Sequence, residues 1–508
     1  MNHCLLLAVN VVLIDRVGGI HRMANHLRSL NWDCEVVDFI MYWTPEELLE
    51  LVKSRVTSNT KFIGFSYLWN RAQSIHKFRL AFEWIKKNYP DIVFISGGQS
   101  QLIDYSYSDY HIYGYGEYAI EELLNYKFSN GQSPKFENIS SRTKIINANR
   151  DYPAYPMKHA MIKYEDRDFL MPNEWGRIEF SRGCKFACKF CNFPVIGAKE
   201  DYTRDIKNVR EQFMDAYDRF GIENYHISDE TFNDRPYKIS RIADLVETLP
   251  WKPYFAGFIR ADLLINRKHD REDLLRMGFL GHFYGIETFN PKSASYIGKN
   301  GNTTRMKEGL VEVKEYFQKH VGNKYRATIS LIAGLPHETL DSLETTYQWV
   351  KNHWRDQLAV ACPLEIMDWG DSRENRISDD FQKYGYEQIE IDLNPNPNFI
   401  FEKDKTVDRT KVMLPGTGKN PPIAWKNPNM DIMQAWDWCN KLDKIWLVGE
   451  KNLARTEGYL LSRILCHENG DVLTLEEKLK LVEETAIKHT ENFKVFVNNY
   501  KTKKLNWK

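Results

Sequence analysis

The feature that most limits the fold is a rhythm of alternating strands and helices that occurs twice. Over residues 1 to about 130, short apolar runs alternate with helical patterns every 20 to 30 residues or so, as in a parallel α/β sheet with crossover helices. The runs are Leu5 to Val9, Cys34 to Phe39, Phe62 to Ser66, Ile92 to Ser96 and His111 to Tyr113. Between the first two, Ile20, Met23, Ala24, Leu27 and Leu30 recur at helical spacing and form one apolar face. Pro45, followed by Glu46 and Glu47, has the composition of a first helical turn. Glycines follow the runs: Gly18-Gly19, Gly97-Gly98, Gly114 and Gly116. At the carboxyl ends of strands such glycines let backbone amides approach a ligand, although a plain turn glycine looks the same in sequence.

The second series begins at Arg177. Strands are expected over Arg177 to Ser181, Tyr225 to Ser228, Tyr254 to Phe258, Leu280 to Ile286, Tyr325 to Ala333 and Leu358 to Leu364. Helical patterns separate them, notably Asp205 to Phe220, Thr303 to His320 and Glu338 to Trp354. These β/α units predict a partial (β/α)6 version of the eightfold barrel, whose reactive groups gather at the C-terminal strand ends. The fold class expected for the chain is therefore α/β: a Rossmann-like parallel domain, then the partial barrel, then a mainly helical C-terminal segment. The divisions fall at 1–135 for the first domain, 136–175 for a linker rich in Pro and Tyr, 176–370 for the barrel and 371–508 for a capping or substrate segment.

The loop after the first barrel strand carries Cys184, Cys188 and Cys191 at the spacing C-x3-C-x2-C, three of the eight cysteines. Composition alone predicts roughly 0.002 such triplets. Three thiolates on one loop can hold three irons of a cubane [4Fe-4S] cluster and leave the fourth iron open for chemistry. A structural zinc needs a fourth ligand, usually from a second pair, and neither His159 nor His226 shows ligand spacing. Cys4, Cys34, Cys362, Cys439 and Cys466 are scattered, as reduced thiols of a cytoplasmic protein would be.

This spacing, with Phe190 just before the third cysteine, resembles the signature of the radical S-adenosylmethionine (SAM) superfamily. The resemblance implies that SAM chelates the open iron through its amino and carboxylate groups. Electron transfer, from a partner such as flavodoxin or ferredoxin, then cleaves the sulfonium to a 5'-deoxyadenosyl radical. It also implies a SAM pocket that draws on Phe190, on Asp229 and Glu230 after the second strand, and on Arg260 and Asp262 after the third. Glu287 after the fourth strand and Gly334 after the fifth complete the set. Each has a plainer reading as a helix cap or a rim ion pair. The phrases Arg260-Ala261-Asp262-Leu263-Leu264, Gly285-Ile286-Glu287-Thr288 and Gly334-Leu335-Pro336-x-Glu338-Thr339 resemble those of cobalamin-associated members of the superfamily.

A second resemblance concerns the first domain. Phe65-Ser66, Phe94-Ile95-Ser96-Gly97-Gly98 and Tyr113-Gly114-Tyr115-Gly116-Glu117 are similar in order and spacing to the cobalamin-binding domain that precedes the radical domain in many such enzymes. The corresponding candidates are Gly18, Gly19, His21, Ser66, Gly97, Gly98, Gly114, Gly116 and Glu117. The first loop departs from the pattern Asp-x-His-x-x-Gly: after Asp15, Val17 stands at the His position and Ile20 at the Gly position, so no histidine ligand to cobalt is expected from it. Bound cobalamin, and a domain that keeps the fold without the cofactor, both stay open.

With 69 Lys and Arg against 69 Asp and Glu, no global field favours nucleic acid or an anionic membrane. No apolar run reaches the length of a membrane span. Beyond about residue 370 the pattern fades into loops at Asp368 to Arg373, Asn394 to Pro397 and Pro415 to Pro422, then into helical patterns such as Leu473 to His489. Trp425, Trp436, Trp438 and Trp446 are expected in a core, and Lys501 to Lys508 as a solvated tail. The function expected is cobalamin-dependent methyl transfer to an unreactive C–H position. Alternatives are a radical rearrangement, cyclisation or oxidation without methyl transfer, and a non-catalytic Fe-S protein.

Overall fold

The computed structural model describes residues 1–9, 16–67, 76–98, 107–138, 143–157, 160–172, 174–191, 203–366, 376–390, 423–448, 451–452 and 475–507. Asp15, His159, Cys466 and the three loops named above after residue 367 lie outside them.

The first sheet has seven strands in the order β2-β1-β3-β4-β5-β7-β6. They are β1 (His3–Val9), β2 (Asp33–Val37), β3 (Thr60–Tyr67), β4 (Val93–Gly98), β5 (Tyr110–Tyr113), β6 (Glu137–Asn138) and β7 (Lys144–Asn147). All pairs are parallel except β6 with β7. Each expected run becomes a strand. The runs are continuous rather than alternating because both faces are covered, as in parallel sheets generally. On one face Leu5, Leu7, Ile63 and Phe94 pack under α2 (Pro45–Arg55) and α3 (Arg79–Asn88). On the other Cys4, Leu6, Phe62 and Ile95 pack under α1 (Gly18–Ser29) and α4 (Glu117–Phe128). The first turn of α2 forms as its composition predicts, with Thr44 and Glu47 closing a reciprocal cap. The sheet extends past residue 135: part of the segment expected as linker supplies β6 and β7.

The second sheet has six parallel strands in chain order: β8 (Gly176–Ile178), β9 (Tyr225–Ile227), β10 (Phe255–Ile259), β11 (Phe279–Glu287), β12 (Arg326–Ala333) and β13 (Leu358–Pro363). Every expected barrel strand is present. Its outer face, with Phe255, Ile259, Tyr284, Ile286, Ile329 and Leu331, joins one core with the crossover helices. These include α5 (Ile206–Phe220), α6 (Pro236–Val246), α7 (Thr303–Val321) and α8 (Leu340–His353). Alternate residues turn inward: Arg177 pairs in register with His226, Phe258 with Phe283, Phe283 with Thr328, and Ile332 with Cys362.

The C-terminal segment divides between the two sheets. The helix α9 (Ile432–Asp443) and its flanks lie on the barrel, and Trp425, Trp436, Trp438 and Trp446 are buried there as expected. Three of them donate indole N–H bonds into it: Trp425 to the Leu364 carbonyl, Trp438 to that of Leu343 and Trp446 to that of Gln357. The long helix α10 (Leu475–Asn506) instead returns to the first sheet. The expected solvated lysine tail is corrected here. Lys504 is fully buried, with Nζ donating to the Val36 carbonyl at 2.7 Å and to Glu35 at 3.2 Å. Lys501 pairs with Glu47 at 2.8 Å. A lysine stem can lie along apolar surface while its ammonium finds oxygen partners at the end. No helix among the described residues is long and apolar enough to cross a membrane.

Candidate functional site

The cysteine loop runs from the end of β8 and is held by groups from the next strand ends. Asp229, after β9, accepts the Phe180 amide at 2.8 Å and the Ser181 hydroxyl at 2.6 Å, and Lys238 reaches Ser181 at 2.8 Å. Burial raises the Asp229 pKa, against the opposing pull of the Lys238 charge and these donors. Glu230 accepts the Gly183 amide at 3.1 Å and the Tyr115 hydroxyl at 2.6 Å, and burial raises its pKa to about 7 although the Tyr115 hydroxyl opposes that. Both carboxylates expected in the SAM pocket are thus engaged with the loop.

The sulfurs have donors beside them. Cys184 Sγ lies 3.5 Å from the Thr231 hydroxyl, and an Arg260 guanidinium nitrogen lies 3.9 Å from Cys188 Sγ. Neither these two cysteines nor Cys191 is in a disulfide. Three cysteines on one short loop, none in a disulfide and two with O–H or N–H donors beside the sulfur, make a donor set that fits an iron–sulfur cluster. Among the described residues no group of three or more His, Cys, Asp or Glu has metal-site geometry. The fit therefore rests on the donor set and the loop.

Arg260 and Asp262 form a two-bond pair at 2.9 and 2.7 Å, with the guanidinium 3.8 Å from the Phe186 ring centroid. Asn233 fixes the Arg260 backbone on both sides, accepting its amide at 2.8 Å and donating to its carbonyl at 2.9 Å. Beside them opens a cleft of about 310 Å³ lined by Arg260, Asp262, Gly285, Thr288, Lys299 and Thr303. Glu287 is buried nearby at φ +68°, 3.3 Å from Lys299. Burial raises its carboxyl pKa and the Lys299 charge opposes that. Phe190 is half-buried, with Lys299 Nζ 5.8 Å from its ring centroid. Gly334 sits apart, at φ +92° under the Trp425 ring, with its carbonyl accepting the Tyr386 hydroxyl at 2.7 Å.

The first-domain candidates collect at the C-terminal edge of its sheet. Ser66, Gly97 and Gly98 end β3 and β4 and are half-exposed, and Gly114 and Gly116 follow β5. Gly19 is exposed on α1, while Gly18 packs against Ile162 and Arg177. His21 is fully buried, 3.1 Å from Asp38 and 3.7 Å from Asp168. Arg16 completes that network with Asp38 at 2.7 Å and Glu174 at 2.6 Å. Glu117 is likewise committed: with Arg22, Glu179 and Arg182 it forms a buried quartet at 2.5 to 3.0 Å. Burial acts to raise the Glu117 pKa, but the Arg182 and Arg22 charges overcome it and bring it down to about 2. Because α1 and α4 supply Arg22 and Glu117 and the segment that follows β8 supplies Glu179 and Arg182, the quartet joins the two sheets.

The Radical SAM superfamily model matches residues 178–350. The matched stretch is about a third of the chain and holds the cysteine loop and strands β9 to β12. The chain is similar to a relative from Pyrococcus horikoshii named an uncharacterized methyltransferase, 26% identical over 197 residues. That match covers 37% of this chain and 40% of the relative, so the chain aligns with about two fifths of the relative's length. In fold it is similar to the radical SAM methyltransferase TsrM of Kitasatospora setae, solved with tryptophan substrate and a SAM analog. The TM-score is 0.67 at 14% identity, over 97% of this chain and 100% of that one. It is also similar to the cobalamin-dependent radical SAM enzyme OxsB with aqua-cobalamin, with TM-score 0.55 and 16% identity, over 75% of this chain and 55% of that one.

Several residues of this candidate site were not singled out as site residues by sequence. Tyr115 and Arg182 lie inside motifs that were, yet their contacts are with residues 115 and 65 positions away. Lys299 follows a short helix with no motif around it, and only the structure brings it to the cleft.

Proposed function

We propose that the chain is a cobalamin-dependent radical SAM methyltransferase acting on an unreactive C–H position, with a [4Fe-4S] cluster held by Cys184, Cys188 and Cys191. The observation that carries this reading is the joint between the sheets. Tyr115 and Glu117, at the C-terminal edge of the first, touch Glu230 and Arg182 beside the cysteine loop of the second. The edge at which parallel α/β sheets bind cofactors thus meets the strand ends at which barrels do chemistry. The likeness in fold to TsrM and OxsB, and the relative named a methyltransferase, support the same reading.

When bound, the cluster and SAM supply radical chemistry, and cobalamin supplies a methyl carrier. The chain's own residues position and shield. Arg260 keeps a positive charge beside Cys188, and Lys299 brings a second cation to the cleft, where a substrate or SAM carboxylate can pair with them. Asp262 and Glu287 offer acceptors for ammonium or hydroxyl groups. The inward Phe258 and Phe283 rings, 4.9 Å apart, give the barrel interior an apolar wall that excludes water. Reduction requires an electron donor such as flavodoxin or ferredoxin.

The test is anaerobic reconstitution with iron, sulfide and hydroxocobalamin, followed by iron and corrin quantification and incubation with methyl-labelled SAM. The expected outcome is about four irons and one corrin per chain, with SAM consumed on reduction. Cys184→Ala, Cys188→Ala and Cys191→Ala each lose the cluster and SAM cleavage. Full iron and turnover in any of the three would overturn the assignment. Four irons without corrin would remove the cobalamin part and leave the radical part.

A further inference from the structure

The backbone leading into Cys184 has two separate anchors. Phe180 and Ser181 are held from within the barrel, by Asp229 and Lys238. The next two residues are held from the other sheet. The Tyr115 hydroxyl donates to one Glu230 oxygen at 2.6 Å, and the other accepts the Gly183 amide at 3.1 Å. The Tyr115 ring also lies 4.6 Å from the Arg182 guanidinium, which in turn pairs with Glu117 at 2.5 Å. Tyr115 and Glu117 both follow β5, and Gly183, at φ +89°, immediately precedes the first cysteine.

We infer that Tyr115, carried by the N-terminal domain, is a positioning residue for the cysteine loop, acting through Glu230 on the Gly183 amide. The inference rests on the reading that the loop holds an iron–sulfur cluster. A carboxylate that accepts only the Gly183 amide is free to rotate; with its second oxygen fixed by a phenol it presents the first in one direction. The Gly183 backbone has no side chain to brace it, so this bond and the Arg182 contacts set the approach of Cys184. The Cys184 end of the loop thereby becomes sensitive to the first domain, and by linkage a change at the loop is felt at the loop after β5.

The discriminating variant is Tyr115→Phe, which removes the hydroxyl and leaves the ring over Arg182; Tyr115→Leu removes both. Iron-loaded wild type and variants are compared, without added corrin, by electron paramagnetic resonance of the reduced cluster and by titration with SAM. Thermal midpoints of the iron-free proteins serve as the folding control. The expected result for Tyr115→Phe is a near wild-type midpoint, altered g values of the reduced cluster and SAM binding weakened roughly fivefold or more, with a larger effect in Tyr115→Leu. Wild-type spectra and SAM affinity in both loaded variants would overturn the inference and leave the cluster reading intact. A wild-type chain that takes up no iron would overturn the cluster reading and the inference with it.

Discussion

Gly334 and Trp425 show how closely single residues constrain each other at the rim of the barrel. Gly334 has φ +92°, and a Cβ added there would run into the Trp425 ring. Gly334→Ala is expected to cost roughly 2–4 kcal/mol from backbone strain and overpacking together. Trp425→Ala in the same chain should recover part of that loss, so that a double-mutant cycle by thermal unfolding is less than additive. A few residues on, Glu338 accepts the Thr288 hydroxyl at 2.6 Å and the Gly334 amide at 2.8 Å. Burial nevertheless outweighs these donors and raises its pKa from 4.5 to about 7. The folded state therefore binds the proton more tightly than the unfolded state. The resulting stability is fully present below about pH 4.5 and is lost as pH rises through about 7, on the order of 3 kcal/mol. Glu338→Gln, which resembles the protonated form, is expected to make the fall in thermal midpoint between about pH 5 and about pH 8 shallower. The cysteines could be read from sequence because their spacing is local. The partners of Glu230, Glu117 and Lys299 could not, because each is set by the way distant strands come together.

At the scale of elements, the helix α10 carries the main departure from the sequence reading. Its end, Lys501 to Lys508, is expected in solvent, yet Lys504 is buried and, just before it, Phe493, Val497 and Tyr500 enter the core of the first sheet, with Tyr500 fully buried and accepting the Asp38 amide at 2.8 Å. Its ring also lies 5.4 Å from the Arg16 guanidinium. Tyr500→Ala is expected to cost roughly 3–5 kcal/mol, the range for emptying a large aromatic site, read as a lowered denaturation midpoint. The barrel strands and the first five strands of the N-terminal sheet were legible because parallel strands buried on both faces leave continuous apolar runs. Strands β6 and β7 were not: one has two residues and the other four, with a single buried pair, Ile145 and Ile146. Such pieces carry too little periodicity to separate them from a loop.

Across the whole molecule, the two sheets meet at the C-terminal ends of their strands, and the quartet of Arg22, Glu117, Glu179 and Arg182 closes that meeting with balanced charge in a largely buried place. Sequence predicted the two sheets and put the candidate cofactor residues at these strand ends. Their orientation toward each other depends on residues that read as ordinary helix and loop charges until they are seen paired. The docking of α10 has a consequence in time. When residue 147 has left the ribosome, every strand of the first sheet has been made, but Phe493, Val497 and Tyr500, which pack on Phe39 and Trp43, have not. At roughly 5 to 20 residues per second they follow roughly 20 to 70 seconds later. For that interval Phe39 and Trp43 are without the cover that α10 gives them in the finished fold, and the speed of translation fixes how long.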